Sequence, residues 1–515
     1  MSGKHLALLF SLGCASDVPP PDHEGNGEDD DDGEGEGEGE WEGFLLGEAV
    51  ACEEPATSPS WTEVGGLWGL VGATDPAGFH GAGGMLAVTD FDRDGALDIV
   101  TVFPNEVHFQ RREADAFAVV STLAPLSPYI LTTADLDADG QEEILLGGVR
   151  PQRLAWNEGA ISTSYLLGDA PQSVPVQGLF GDDLDSDGQM DLFAMVNAPE
   201  LPDFILRGAE DGVFEADYAM ISETLGAGRG FDAQWFDWDG DLDRDLYLVN
   251  DHGHESGPNV LFENDGGTLV DASADCFCGV AMSGMGVSVA DYDRDGDPDL
   301  FVTASASLLL LQQVSDGGYA DVSQTWGIPA MTLRQMGWGS AWLDYDNDGQ
   351  ADIALMRGDL WDENSGAEMT YEDTPQLLRQ DEGRFVDVAP DLGMDPAGSW
   401  RSVVAVDLNG DGVVDPIFTD VLKRPQLFLS DACTDAGWLE VVGPIGARVE
   451  VDAGGHTQTA WIDTHTGMGA TQPPLVHFGL GEAQTVDQLR VTLPDGTQLS
   501  TPAFEGRRTV RVEWP

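Results

Sequence analysis

Lysine is almost missing from this chain: Lys4 and Lys423 are the only two in 515 residues. Lysine and arginine together number 22 against 93 aspartates and glutamates, a formal net charge of −71. No basic patch can release counterions from a phosphate backbone or settle on anionic lipid, which excludes nucleic acid as a partner. An imbalance of this size strains a compact fold by self-repulsion unless cations neutralise it. Long apolar runs are missing too, and none reaches the length of a membrane-spanning helix. The common catalytic signatures are also absent: no P-loop, no GxSxG elbow and no HExxH helix. Cysteine is scarce, with five residues, and no sustained helical period runs through the chain.

What is present begins with an export signal over residues 1–14. Lys4 and His5 precede a short apolar run, Leu6 to Leu12, too brief to span a bilayer. It ends Ser11-Leu12-Gly13-Cys14, which resembles a bacterial lipoprotein signal with Cys14 as the lipidated residue, although Ser11 stands where leucine is usual. A plain cleaved signal and a cytosolic start are the alternatives. The chain is thus expected to be exported to a bacterial cell envelope or surface, touching membrane only through an N-terminal lipid anchor. Residues 15–48 are acidic and rich in Gly and Glu, with the run EDDDDGEGEGEGEWE from Glu28 to Glu42. So few apolar side chains cannot offset the entropy of ordering, and a disordered tether is expected there. Beyond Cys14 the cysteines are Cys52, Cys276, Cys278 and Cys433. An even number in an oxidising compartment points to disulfides, with three pairings open. Cys52–Cys433 is preferred, because both flank the repeat region and would lock it shut. Cys276 and Cys278 then form a local bridge or remain two thiols.

The centre of the chain repeats. Seven segments share one pattern of acids: Asp90, Asp92, Asp94 and Asp98; Asp135, Asp137, Asp139 and Glu143; Asp183, Asp185, Asp187 and Asp191; Asp237, Asp239, Asp241 and Asp245; Asp291, Asp293, Asp295 and Asp299; Asp344, Asp346, Asp348 and Asp352; and Asp407, Asn409, Asp411 and Asp415. Glycine follows the fifth position in every loop except the fourth, where Leu242 stands. Successive starts lie 45, 48, 54, 54, 53 and 63 residues apart, the period of a propeller blade rather than of an ankyrin or leucine-rich repeat. Each loop lies between strand-like runs such as Met85–Thr89 and Leu97–Val102, with a further hairpin behind. The reading is an all-β chain: a seven-bladed β-propeller over residues 49–432 and a small C-terminal β domain over 433–515.

The spacing carries its own chemistry. Calcium takes about six to eight oxygen ligands at about 2.3–2.6 Å, and alternate residues of a tight loop can turn their carboxylates inward. Positions one, three and five supply side-chain oxygens, position seven a backbone carbonyl, and the acid at position nine closes the shell. An EF-hand would need a glutamate at position twelve. Those positions hold Thr101, Leu146, Ala194, Leu248, Val302, Leu355 and Phe418, so that reading fails. Up to seven Ca²⁺ sites follow. The fourth loop is the weakest candidate, since a branched side chain resists the positive φ that glycine accepts.

These loops resemble the FG-GAP/VCBS repeats of integrin α-chain propellers and of the cartilage acidic protein family. The tail resembles the ASPIC/UnbV domain of that family through Ile445-Gly446-Ala447-Arg448-Val449, Ala453-Gly454-Gly455, His477-Phe478-Gly479-Leu480-Gly481 and Pro494-Asp495-Gly496. The family's tryptophan before its final Pro-x-Gly is replaced by Leu493. The resemblance implies a calcium ion in each blade loop and a role in adhesion or matrix contact.

The remaining constellations read as structural. His252-Gly253-His254 is expected to be an exposed polar loop, Gly446 and Gly454-Gly455 to make turns, and His477 to hydrogen-bond within its own domain. Trp338, Trp342 and Trp400 are expected to pack between blades, with a sugar platform as the alternative. The leading function is a calcium-binding scaffold for an unidentified protein or glycan, with no catalytic residues. The alternatives are a polysaccharide-active enzyme with its site in the propeller channel, and a structural subunit of an envelope complex.

Overall fold

The computed structural model describes residues 41–514, apart from short stretches of which 74–82, 167–174, 218–228, 329–335 and 359–371 are the longest. Cys14 and residues 15–40 lie outside the described residues. The regular structure of the described residues is almost entirely strand; their helices are three single turns, Gly253–Ser256, Ser273–Cys276 and Ala389–Leu392.

Each acidic loop turns one strand into the next. The strands that enter the loops are Met85–Thr89, Leu131–Ala134, Val176–Asp182, Gly230–Phe236, Gly284–Ala290, Gly337–Leu343 and Trp400–Val406. Each pairs antiparallel with the strand that leaves its loop, and that strand starts on the position-nine acid in all seven cases. The leaving strands are apolar on both faces, and runs such as Asp191–Val196 and Asp352–Arg357 are buried along their whole length. This is the pattern of a strand inside a sheet that packs against neighbours on both sides. Two further antiparallel strands complete each sheet of four.

The seven entering strands touch one another in order, and Trp400–Val406 returns to touch Met85–Thr89, which closes the ring. The last sheet takes its outer strand from the start of the chain: Trp61–Glu63 pairs with Gln426–Ser430. The seven-bladed propeller is therefore closed by its N-terminal segment, and the Cys52–Cys433 disulfide fastens that segment beside the end of the last blade. Cys276 and Cys278 form a second, local bridge.

The C-terminal domain has two four-stranded sheets and a two-stranded pair around one apolar core that includes Leu439, Val449, Phe478, Val491 and Val510. Phe44–Leu46 belongs to it, pairing antiparallel with Arg508–Val512. The tether expected to run to residue 48 therefore ends earlier, because three residues at its end have a sheet edge to join.

The ring of inner strands is filled. A hairpin of the C-terminal domain, His465–Gly467 with Ala470–Thr471, joins the first blade parallel to Met85–Thr89, with Leu86 opposite Ala470 and Ala87 opposite Thr471. It also contacts the inner strands of the second, fourth, fifth, sixth and seventh blades. Met468 at its tip is 1% exposed and packs in one cluster with Met85, Met285, Trp338 and Met356. Ser402 Oγ donates to the Met468 carbonyl at 2.7 Å. Two glycines permit the approach: a Cβ on Gly467 would lie 2.3 Å from the Ser340 carbonyl oxygen, and one on Gly469 would lie 2.0 Å from Met85 Sδ. The channel in which the alternative, enzymatic reading would place a site is thus taken up by packed protein.

Candidate metal centres

The loops fold on their first aspartate. In the first, Asp90 Oδ1 accepts the Asp94 N–H at 3.1 Å and Oδ2 the Gly95 N–H at 2.9 Å. The same pair of bonds recurs at Asp135, Asp183, Asp291, Asp344 and Asp407. The fifth residue accepts the N–H of the seventh, as in Asp94 with Ala96 and Asp187 with Gln189. Each of these oxygens keeps a lone pair, so the bonds shape the loop without neutralising its charge.

The turn demands left-handed backbone at the fourth and sixth positions. Arg93, Ser186, Arg294 and Asn347 hold φ of 59°, 56°, 63° and 56° at the fourth, and Gly95, Gly188, Gly296 and Gly349 take the sixth at 90°, 85°, 93° and 83°. Leu242 sits at the sixth position with φ 80°, so the fourth loop keeps the common shape in spite of its side chain. A non-glycine residue there costs about 1–2 kcal/mol. Leu242→Gly is expected to hold or raise the melting midpoint, despite the loosened unfolded chain, and to tighten cation binding at that loop; a scan of both proteins with and without calcium checks it.

Aspartate oxygens converge as the spacing predicts. Asp90, Asp92 and Asp94 each place an oxygen within 4.8 Å of the others, as do Asp183, Asp185 and Asp187, and Asp291, Asp293 and Asp295. In the second and fourth loops the ninth residue takes the place of the fifth: Asp135, Asp137 and Glu143 group together, and so do Asp237, Asp239 and Asp245. Asp139 turns away to pair with Arg93 of the preceding loop. In the seventh, Asn409 Oδ1 accepts the Asp411 N–H at 3.0 Å, and its amide nitrogen donates to Asp411 Oδ2 at 3.1 Å.

The position-nine acids have a second task that sequence reasoning missed. All seven are buried, from Asp98 at 0% to Glu143 at 4%. Each accepts backbone N–H groups that tie the loop to its sheet. Asp299 takes those of Tyr292 and Gln313, Asp352 those of Tyr345 and Gln380, and Asp415 those of Leu408 and Ser430. Their burial is costly. Desolvation first, and neighbouring aspartates in addition, push the carboxyls of Asp98, Asp245 and Asp299 up to about 7, about 8 and about 9. Asp344, Asp352 and Asp415 are raised well above the ordinary range for the same first reason. In the first loop, Asp92 Oδ1 and Asp98 Oδ2 are buried with no hydrogen-bond partner. Crowded, dehydrated oxygen donors of this kind fit a hard dication.

The loops differ in what faces them from the third strand of the blade. Arg153 pairs with Asp137 and Glu143 in the second loop. Arg207 reaches Asp185 at 3.1 Å and also pairs with Asp191 in the third. The fifth loop meets the neutral Gln312, which donates to Asp293. The fourth meets Glu263, whose carboxyl is raised by burial and then by Asp239, Asp265 and Asp241.

The sixth loop is roofed by the C-terminal domain. His477 Nε2 lies 2.8 Å from Asn347 Oδ1, and the Gly481 N–H donates to the Asn347 carbonyl at 2.8 Å. A Cβ on Gly479 would lie 2.0 Å from Asp344 Oδ2. The bond expected for His477 inside its own domain is instead made across to the propeller. Trp338 and Trp400 pack between blades as expected, each 1% exposed. Gly446, Gly454 and Gly455 sit in turns with φ of 85°, 59° and 82°.

Comparison with known proteins agrees with this architecture. Residues 443–515 match the family model for ASPIC and UnbV, and residues 237–302 and 291–355 match that for an FG-GAP-like repeat. The chain thus carries FG-GAP-like repeats ahead of an ASPIC and UnbV domain. It is homologous to cartilage acidic protein 1: 28% identical to that of Homo sapiens over 283 residues, which is 50% of this chain and 40% of the relative. The Mus musculus protein is 29% identical over 273 residues, 48% of this chain and 40% of the relative. The match therefore spans about two fifths of those relatives' length. A solved Agrocybe aegerita lectin that recognises non-reducing terminal N-acetylglucosamine overlaps with a TM-score of 0.40 at 16% identity, covering 66% of this chain and 90% of that one.

Proposed function

We propose that this chain is an exported, calcium-binding scaffold that holds a protein or glycan ligand and performs no catalysis. The observation that carries the reading is the recurrence of one loop geometry around the ring, with buried acids that, outside the second and third loops, no closely paired arginine balances. Asp, Asn and Glu oxygens at positions one, three, five and nine would hold the ion, and calcium bound there supplies the positive charge the loops lack. The filled channel supports a binding rather than a catalytic role. No helix among the described residues is long and apolar enough to cross a membrane. Attachment is proposed through Cys14 alone.

The arginines grade the sites. A guanidinium already inside a loop competes with the cation and adds like charge near it. Loops two and three are expected to bind calcium most weakly and to empty first as calcium falls. Arg153→Gln and Arg207→Gln should each strengthen one site several-fold, measured by calorimetry. Unchanged affinities would show that these arginines leave when calcium enters.

The test of the function is a panel of polysaccharides and matrix proteins offered to the calcium-loaded chain. Retention that EDTA reverses, with no new reducing ends released, is the expected result. Turnover of any substrate would replace the scaffold by an enzyme.

A further inference from the structure

The sixth residue of the metal loop is exposed in the first four blades, at Gly95, Gly140, Gly188 and Leu242. It is buried in the sixth and seventh, at Gly349 and Gly412. What covers it there is the C-terminal domain. A Cβ on Gly349 would lie 3.2 Å from the Gly479 carbonyl oxygen, and one on Gly412 would overlap the indole of Trp438.

Asn347, at the fourth position of the sixth loop, is the hub of this contact. It is 1% exposed, whereas Arg93 and Ser186 at the same position of other loops are exposed. Its Oδ1 faces His477 Nε2, and its Nδ2 donates to the Gly412 carbonyl of the seventh loop at 2.7 Å. Its backbone carbonyl accepts the Gly481 N–H. Asn347 is thus tied to the domain twice and to the next loop once. His477 is suited to its part. Burial pushes its imidazole down to about 4, so the ring is neutral and donates through Nε2 without placing a positive charge beside a cation. Trp438 stacks on that ring with centres 5.9 Å apart and holds its plane.

Asn347 lies between Asp346 and Asp348, the third and fifth positions of the loop. Fixing its backbone and amide fixes the turn from which those carboxylates point, so less ordering remains to be done when an ion enters. The coupling is reciprocal: whatever docking of the domain adds to calcium affinity, calcium adds to docking. We infer that His477 and the strand Leu475–Gly481 position the calcium site of the sixth loop, so that this ion and the C-terminal domain hold each other in place. The inference rests on the calcium reading proposed above and deepens it, because one site of the ring then reports its occupancy to a second domain. The first four loops, open at their sixth position, lack that link.

The test uses the full chain, with bound calcium counted on every sample. Hydrogen exchange is followed along Leu475–Gly481, above all at the Gly481 N–H, whose acceptor is the Asn347 carbonyl. Asp346→Asn removes a carboxylate from the sixth loop, and Asp92→Asn removes its counterpart from the first. At a calcium concentration that fills the parent, exchange at Gly481 should rise about five-fold or more in Asp346→Asn and keep the parent's rate in Asp92→Asn. In the reverse direction, His477→Ala should weaken one calcium site about five-fold by calorimetry. His477→Gln, which keeps an N–H donor, should recover most of that loss. Parent-like exchange in Asp346→Asn or an equal rise in Asp92→Asn overturns the inference. So does a calcium affinity indifferent to His477→Ala, or one that His477→Gln lowers just as far. If the His477 variants fail to fold, the exchange comparison decides alone. A parent that binds no calcium removes the calcium reading and this inference together. A parent full of calcium whose Gly481 ignores the sixth loop removes only the inference.

Discussion

EDTA is expected to lower the melting midpoint of the calcium-loaded chain by more than about 10 °C near pH 8. At tenfold excess over its dissociation constant, calcium adds about 1.4 kcal/mol per occupied site by mass action. Extracellular sites of this ligand type bind at about 10⁻⁴–10⁻³ M, so several millimolar calcium reaches that excess. With five or more sites the contribution approaches the whole stability of an ordinary domain. The effect should shrink toward pH 5, and the sign follows from the raised carboxyls. Asp299, lifted to about 9, and Asp245, lifted to about 8, are protonated in the metal-free fold well above the range in which they ionise in the unfolded chain. Their stabilising contribution is complete below about pH 4 and is lost as pH rises toward 9. The metal-free protein should therefore melt lower at pH 8 than at pH 5, while calcium, competing with those protons, binds more tightly at pH 8. A melt that ignores EDTA at both pH values would remove the metal from the account of stability.

Breaking the Cys52–Cys433 bridge is the second large effect. It joins residues 381 positions apart, so the loop it closes in the unfolded chain contains all seven blades. Chain-entropy arguments give about 6 kcal/mol for a loop of that length. Cys52→Ser with Cys433→Ser should lower the denaturant midpoint by a matching amount. The native propeller should persist, because Trp61–Glu63 still pairs with Gln426–Ser430 and Phe44–Leu46 with Arg508–Val512. Unfolding measured in urea with calcium held constant checks it. An unchanged midpoint would show that the unfolded chain is already held together by other means.

The blades were legible because their chemistry is local. An acid loop, a glycine and an apolar run lie within a dozen residues, and seven copies in phase leave little room for another fold. The role of the position-nine acid was half legible. Its charge pointed to the loop, but its bonds to the third strand, such as Asp415 with the Ser430 N–H, depend on pairing between distant segments. Arg153 and Arg207 were visible as rare basic residues on strands behind their loops, a signal that nearest-neighbour reading passed over. The hairpin in the channel was not legible. Gly467 and Gly469 look like ordinary turn residues until the inner strands come within 2.3 Å of where their side chains would be. Phe44–Leu46 was hidden by its acidic surroundings, since a strand of three residues is fixed by its partner rather than by its own composition. The same holds for His477, whose acceptor Asn347 lies 130 positions away.

The most direct measurement is the number of calcium ions bound per chain, by elemental analysis after dialysis against defined calcium. The account predicts about five ions at ~1 mM, in the loops without a closely paired arginine, rising to seven at ~10 mM. A folded chain that retains none at either concentration would contradict it.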